Sequence, residues 1–204
     1  MMPDTLFTIG YSGFEVQAFV AKLRDYRISA VIDVRSQPHS SYFPQYNREV
    51  LAAALKEAGI LYRNYAREFG ARQTDPAFFS KDGYLNFERF RGSDAFREGF
   101  RRLKEGMAHG FSFALMCAEK DPMICHRAIL VAKAFHEAGY RVVHLLPDGE
   151  STQEELEQRL LDRFFPDRAQ ISLFNAGQTE ADYIRQAYER QNAEIGYRRE
   201  MDWE

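Results

Sequence analysis

The sequence alternates between two kinds of segment, and that alternation limits its fold more than any other feature. Short apolar runs lead into polar loops, and the loops lead into stretches with helical spacing. The runs are LFTIG (6–10), AVIDV (30–34), LYRNY (61–65), FSFALMC (111–117) and RVVHLL (141–146). Each is too short for a core helix and suits a strand covered on both faces. Between them, EVQAFVAKLRDYRI (15–28) puts Phe19, Val20 and Leu23 on one helical face. NREVLAAALKEAGI (47–60) has Asn47 to cap it and Gly59 to end it. Two more helices are expected over 93–110, with Ser93 as N-cap, and over 126–139. A last one over 151–165 has Ser151 as cap and Glu154 three residues on, a capping box. Strands alternating with helices predict an α/β fold: a single open, mostly parallel sheet of about five strands with helices on both faces. Residues 66–92 are irregular, as in a long loop or lid. The expected division is an α/β domain over 1–166 and a C-terminal appendage over 167–204.

Composition narrows the class. Of 204 residues, 45% are hydrophobic and 28% charged, enough for a substantial core. The formal net charge of -3 does not announce nucleic acid, although a neutral chain can carry a basic cleft. No apolar run approaches eighteen residues and the N-terminus has no signal-peptide pattern, so a cytoplasmic protein without membrane contact is expected. Two cysteines make no disulfide framework.

In parallel sheets, ligands bind beyond the carboxyl ends of the strands. The first run delivers Tyr11 and Ser12 to that edge. The second delivers Asp33, Arg35, Ser36, His39 and Ser40. The fourth delivers Cys117 and Glu119, and its loop returns at Cys125, His126 and Arg127. Asp33, Cys117, Glu119, Cys125 and His126 are the candidate catalytic groups. Tyr11, Ser12, Arg35, Ser36, His39 and Arg127 are the candidate substrate-binding groups. Cys125 opens a helix, where a thiolate is favoured, and His126 with Arg127 there suggests an anion site. The bland alternative is that Cys117 is a small hydrophobe and Arg127 pairs with Asp33 or Glu119 to hold the loops. Cys117, Cys125 and His126 supply soft ligands and could hold a metal, but seven residues separate the two cysteines, longer than a structural zinc knuckle, so no metal is assigned. A cysteine phosphatase loop would place arginine where Met123 stands. No GxGxxG and no P-loop occur, and no cofactor is indicated.

The tail holds a separate signal. QISLF (170–174) resembles the bacterial sliding-clamp-binding pentapeptide at Gln170, Ser172, Leu173 and Phe174. Such a peptide concentrates its binding in a few apolar anchors. A DNA sliding clamp is therefore an expected partner, unless Leu173 and Phe174 staple the tail to the domain.

Together, TIGYSG, VIDVRSQPHSSYFPQYN, AGILYRNY and LMCAEKDPMICHRAILV resemble the domain of unknown function 488 family over residues 8–146. The last motif is the most specific. Where that family usually has Leu-Gly-Gly, this chain reads EFGAR (68–72). The resemblance implies an α/β domain with a polar site at these loops and supplies no reaction. The expectation is an enzyme acting on a phosphate-containing substrate, a nucleotide or nucleic acid, in DNA repair or replication. The alternatives are a non-catalytic nucleic-acid- or clamp-binding adaptor with a structural Cys/His cluster, and a small-molecule hydrolase or transferase.

Overall fold

The structure is a computed structural model, and it describes residues 5–168 and 177–199. Six strands form one sheet in the order β3-β2-β4-β1-β5-β6. They are β1 (Thr5–Gly10), β2 (Ala30–Asp33), β3 (Leu61–Asn64), β4 (Phe113–Cys117), β5 (Arg141–Leu146) and β6 (Gly149–Thr152). The first five run parallel. β6 was not expected. It turns back on β5 in antiparallel register, pairing His144 with Ser151. Its sequence, GEST, has no apolar run to reveal it.

Alternation along the strands builds a core on each face. Ala30, Ile32, Val34, Phe113, Leu115 and Cys117 point one way; Val31, Ala114 and Met116 point the other. The second face is covered by α1 (Val16–Asp25) through Phe19 and Leu23, and by α2 (Arg48–Glu57) through Leu51 and Leu55. The first face carries α3 (Ala66–Phe69), α4 (Phe87–Arg91), α5 (Asp94–Ala108), α6 (Lys133–Glu137), α7 (Gln153–Phe164) and α8 (Glu180–Ile195). A π-helical segment, Arg127–Ala132, runs directly into α6, and all six of its residues are buried. Gly70 and Gly92 end α3 and α4, Gly83 sits in a turn between them, and a 3-10 turn spans Pro76–Phe78, so the irregular stretch is a chain of short turns around α3 and α4.

Two caps differ from expectation. Ser93 caps α5 by accepting the Phe96 N–H. Asn47 precedes α2, but its Oδ1 accepts the N–H of Ser40 and so ties down the loop after β2. The capping box of α7 is Thr152 with Glu155, one residue beyond Ser151 and Glu154, because β6 runs through Ser151 to end at Thr152, where the helix starts. α8 docks through buried amides. Gln191 donates to the Met123 carbonyl, and Asn192 bridges Leu85 and Phe87. Gln170, Ser172, Leu173 and Phe174 lie outside the described residues. Among the described residues no helix is long and apolar enough to cross a membrane.

Candidate active site

The strand order makes the carboxyl ends of β2, β4 and β1 neighbours. Gly10 pairs with Cys117 and Asp33 with Met116. The Tyr11 N–H then reaches the Cys117 carbonyl and the Ser12 N–H the Ala118 carbonyl. Residues more than a hundred positions apart meet here, as the loop positions in the sequence imply.

Four of them form one cluster. β4 ends at Cys117, the chain passes Glu119, and a single 3-10 turn, Pro122–Ile124, returns it to Cys125 and His126. Asp121 caps that turn by accepting the Met123 N–H. The turn is the physical reason that a seven-residue gap closes. Cys125 Sγ lies 2.9 Å from Glu119 Oε2 and donates to it. Cys117 Sγ lies 3.7 Å from His126 Nδ1. His126 Nε2 is 2.9 Å from the Val34 carbonyl, which can only accept, so Nε2 carries hydrogen. In the neutral ring that leaves the Nδ1 lone pair facing Cys117. Both thiols are buried, while Glu119 and His126 are half-buried and connect the cluster to the surface.

The charges are coupled. Burial pushes the Cys125 thiol up, but the hydrogen bond from Cys117, the Arg127 guanidinium and His126 outweigh it and hold it well below the ordinary thiol value. Cys117 is pushed well above, by its hydrogen bond to Cys125 and then by burial. Burial and the charge on Cys125 raise the Glu119 carboxyl. His126 is raised as well: burial works against its charged form, but its hydrogen bond to Cys125 and the negative charges beside it prevail. A lowered thiol lies 2.9 Å from a raised carboxyl, so Cys125 and Glu119 are placed to exchange a proton.

Arg127 sits beneath the cluster and is wholly buried. Its Nη1 donates to the Glu119 carbonyl at 2.6 Å, Nη2 to the Lys120 carbonyl at 3.1 Å and Nε to Thr8 Oγ1 at 3.3 Å. It positions the loop that carries Glu119, and its Nε, Nη1 and Nη2 all donate to protein acceptors. Thr8 Oγ1, which accepts from Arg127, also shares a hydrogen bond with His144 Nδ1 at 2.8 Å. Gly10 completes this support: a Cβ there would stand 1.7 Å from the Glu119 carbonyl oxygen.

A second group adjoins the cluster through Val34. Arg35 Nε and Nη2 grip both carboxylate oxygens of Asp33, and Nη2 also donates to the Tyr46 carbonyl. Tyr62 donates to Asp33 Oδ2 at 2.6 Å. Burial, then Asp33, raises the Tyr62 hydroxyl. Asp33 is completely enclosed, and both oxygens are engaged. A buried pair of this kind is tolerable only because the hydrogen bonds are complete. Arg35 Nη1 is the exception, buried without an acceptor among the described residues. The guanidinium lies over Tyr11, which stacks on Tyr46 and meets Phe43 edge-on. Ser36 Oγ accepts the Arg72 N–H and packs where a side chain at Gly70 would intrude. His39 is exposed in the same loop, as are Tyr42 and, partly, Phe43.

Sequence reasoning missed Thr8, Gly10, Tyr46, Tyr62 and His144 as partners. Only Tyr62 carried a signal: two residues before Asn64 in β3, it falls on the same strand face and beside β2.

The family model described as Domain of unknown function DUF488 matches residues 15–134, more than half of the 204. The chain belongs to the DUF488 family. No curated protein and no solved structure matches it. The DUF488 span covers every cluster residue from Asp33 to Arg127, while Tyr11 and Ser12 lie just before it. An open cleft of about 660 Å³ lies apart from the cluster, lined by Glu88, Lys133 and Glu137 along with residues of α8. Its lysine is already paired with both glutamates. In this DUF488 chain the unusual chemistry is at the strand ends.

Proposed function

We propose that this chain is an enzyme that transfers or hydrolyses a phosphoryl group of a nucleotide or nucleic acid, with its chemistry at the β4 corner. The observation that carries the reading is the 2.9 Å contact between the Cys125 thiol and the Glu119 carboxylate. It is a nucleophile within reach of its base, at the edge where α/β sheets bind ligands. Glu119 takes the thiol proton, the thiolate forms a sulfur–phosphorus bond as the phosphorus–oxygen bond to the leaving group breaks, and Glu119 returns the proton to that oxygen. Water then attacks phosphorus, forming a P–O bond as the S–P bond breaks, and Glu119 passes the water's proton to the Cys125 sulfur. Glu119 suits the base better than Asp33, whose oxygens are occupied by Arg35 and Tyr62. Support for the substrate class comes from the exposed rings of Tyr42 and Phe43, a surface on which bases can stack.

The test is turnover of a panel of nucleotides and labelled single- and double-stranded oligonucleotides. Cys125→Ser and Glu119→Gln are each expected to lower turnover by about a hundredfold or more with little change in Tm. Activity that survives both substitutions removes the thiol mechanism. The pentapeptide at Gln170, Ser172, Leu173 and Phe174 supports a DNA context; clamp retention unaffected by Leu173→Ala with Phe174→Ala would remove that support.

A further inference from the structure

The corner also has the donor set of a metal site. Cys117 Sγ, Cys125 Sγ and a His126 ring nitrogen lie within 4.8 Å of one another. Tetrahedral zinc, with Zn–S near 2.3 Å and Zn–N near 2.1 Å, separates adjacent ligand atoms by roughly 3.6 Å. Cys117 Sγ and His126 Nδ1 stand at 3.7 Å, so one edge of the tetrahedron is already formed. The Cys125–Glu119 contact is shorter, at 2.9 Å, because a proton joins the two atoms.

The surroundings fit as well. His126 Nε2 donates to the Val34 carbonyl, which fixes the ring and turns Nδ1 inward; metal-bound histidines characteristically give their other N–H to such an acceptor. Arg127 secures the Glu119 and Lys120 carbonyls, so the loop between the two cysteines is held. Two thiolates and an imidazole are soft and borderline ligands that select zinc over calcium or magnesium, and four thiolates for an iron–sulfur cluster are absent from a chain with two cysteines.

We infer that this corner binds one Zn²⁺ through Cys117 Sγ, Cys125 Sγ and His126 Nδ1, with the fourth coordination position left to solvent. On binding, both thiol S–H bonds are replaced by S–Zn bonds and the protons pass to solvent; no oxidant or reductant takes part. The inference does not rest on the catalytic proposal. A loaded corner makes Cys125 a ligand rather than a free nucleophile, and a chain that catalyses nothing would load equally.

The experiment uses the full chain, reduced and stripped with chelator, then titrated with Co²⁺ as a spectroscopic stand-in and back-titrated with Zn²⁺. The expected result is a thiolate-to-cobalt charge-transfer band with intense tetrahedral visible bands, saturating at one equivalent and abolished by zinc. The chain's two cysteines are the only source of such a band. Zinc is also expected to protect both thiols from iodoacetamide. Cys117→Ser, Cys125→Ser and His126→Gln should each weaken cobalt binding by at least about tenfold, with far-ultraviolet circular dichroism confirming the fold. A wild-type chain that gives no charge-transfer band, or whose thiols alkylate equally fast with zinc, overturns the inference even if a variant fails to fold. Bands that persist unchanged in Cys117→Ser overturn the ligand assignment. Turnover is not a readout here, so failure of the metal site and failure of the phosphoryl-transfer reading are separable.

Discussion

Gly10 leaves space for a carbonyl. The Glu119 oxygen occupies the volume that a Cβ on Gly10 would take, and both atoms belong to backbone or to its first carbon, so neither can swing aside. Gly10→Ala is expected to cost about 3 kcal/mol or more, read as a lower urea midpoint, and to loosen the grip of Arg127 on the loop. His144 makes a different demand. Burial first, and the charge of Arg127 second, hold it down at about 3. The unfolded chain binds that proton near pH 6.5, so between these values the unfolded state carries more protons than the native one. Its stabilising effect is full above about pH 6.5 and declines as pH falls toward 3, by at most about 1.4 kcal/mol per pH unit. Thermal melts of wild type and His144→Gln across that window check the sign; the variant should show the shallower acid decline. Sequence alone marked the polar residues of this edge but not their directions. Arg127 reads as an anion binder because it opens a helix beside a histidine. Its actual partners are carbonyls of a loop whose path depends on a 3-10 turn, and no local pattern reports that.

At the scale of elements, the five apolar runs became strands within a residue or two of their expected limits; four are largely buried, while β3, at the sheet edge, has no buried residue and is not covered on both faces as expected. A polar edge does not announce itself by composition. β6 is short and polar, and it exists because β5 offers it an open row of hydrogen-bonding groups. Its presence moves the start of α7 by one residue. Thr152 accepts the Glu155 N–H and Glu155 reaches back to the Thr152 N–H. Thr152→Ala is therefore expected to lower stability by about 1 kcal/mol, whereas Ser151→Ala should change it by a few tenths at most. Thermal denaturation of the two variants side by side distinguishes the register. Asn47 teaches the same lesson: a good cap residue at the right place is used by a nearer N–H, that of Ser40.

For the whole molecule, the order β3-β2-β4-β1-β5-β6 is what no reading of the chain could supply, and it is what brings three strand ends into one place. Convergence on the carboxyl edge follows from parallel strands in general; which ends are adjacent follows from long-range pairing. α8 is a further case. Its sequence is charged and looks like a tail, yet three of its contacts are buried amide hydrogen bonds to the loops around α4 and the 3-10 turn. Asn192→Ala would strand the Phe87 N–H and the Leu85 carbonyl in the interior, at a cost of about 2–4 kcal/mol. Hydrogen exchange should then show faster opening of α4 as well as of α8.

The π-helical stretch Arg127–Ala132 lets the chain be reset by subtraction. Such a stretch is a helix with a surplus residue, and each residue of an ordinary helix accounts for about 100° of rotation. Removing one residue from it would let the rest close into α-helix while α6 kept its seat on the sheet. Everything before the deletion would turn by about that angle, taking His126 and Arg127 with it. A single codon thus separates this arrangement from a relative with the same core and a differently aimed corner.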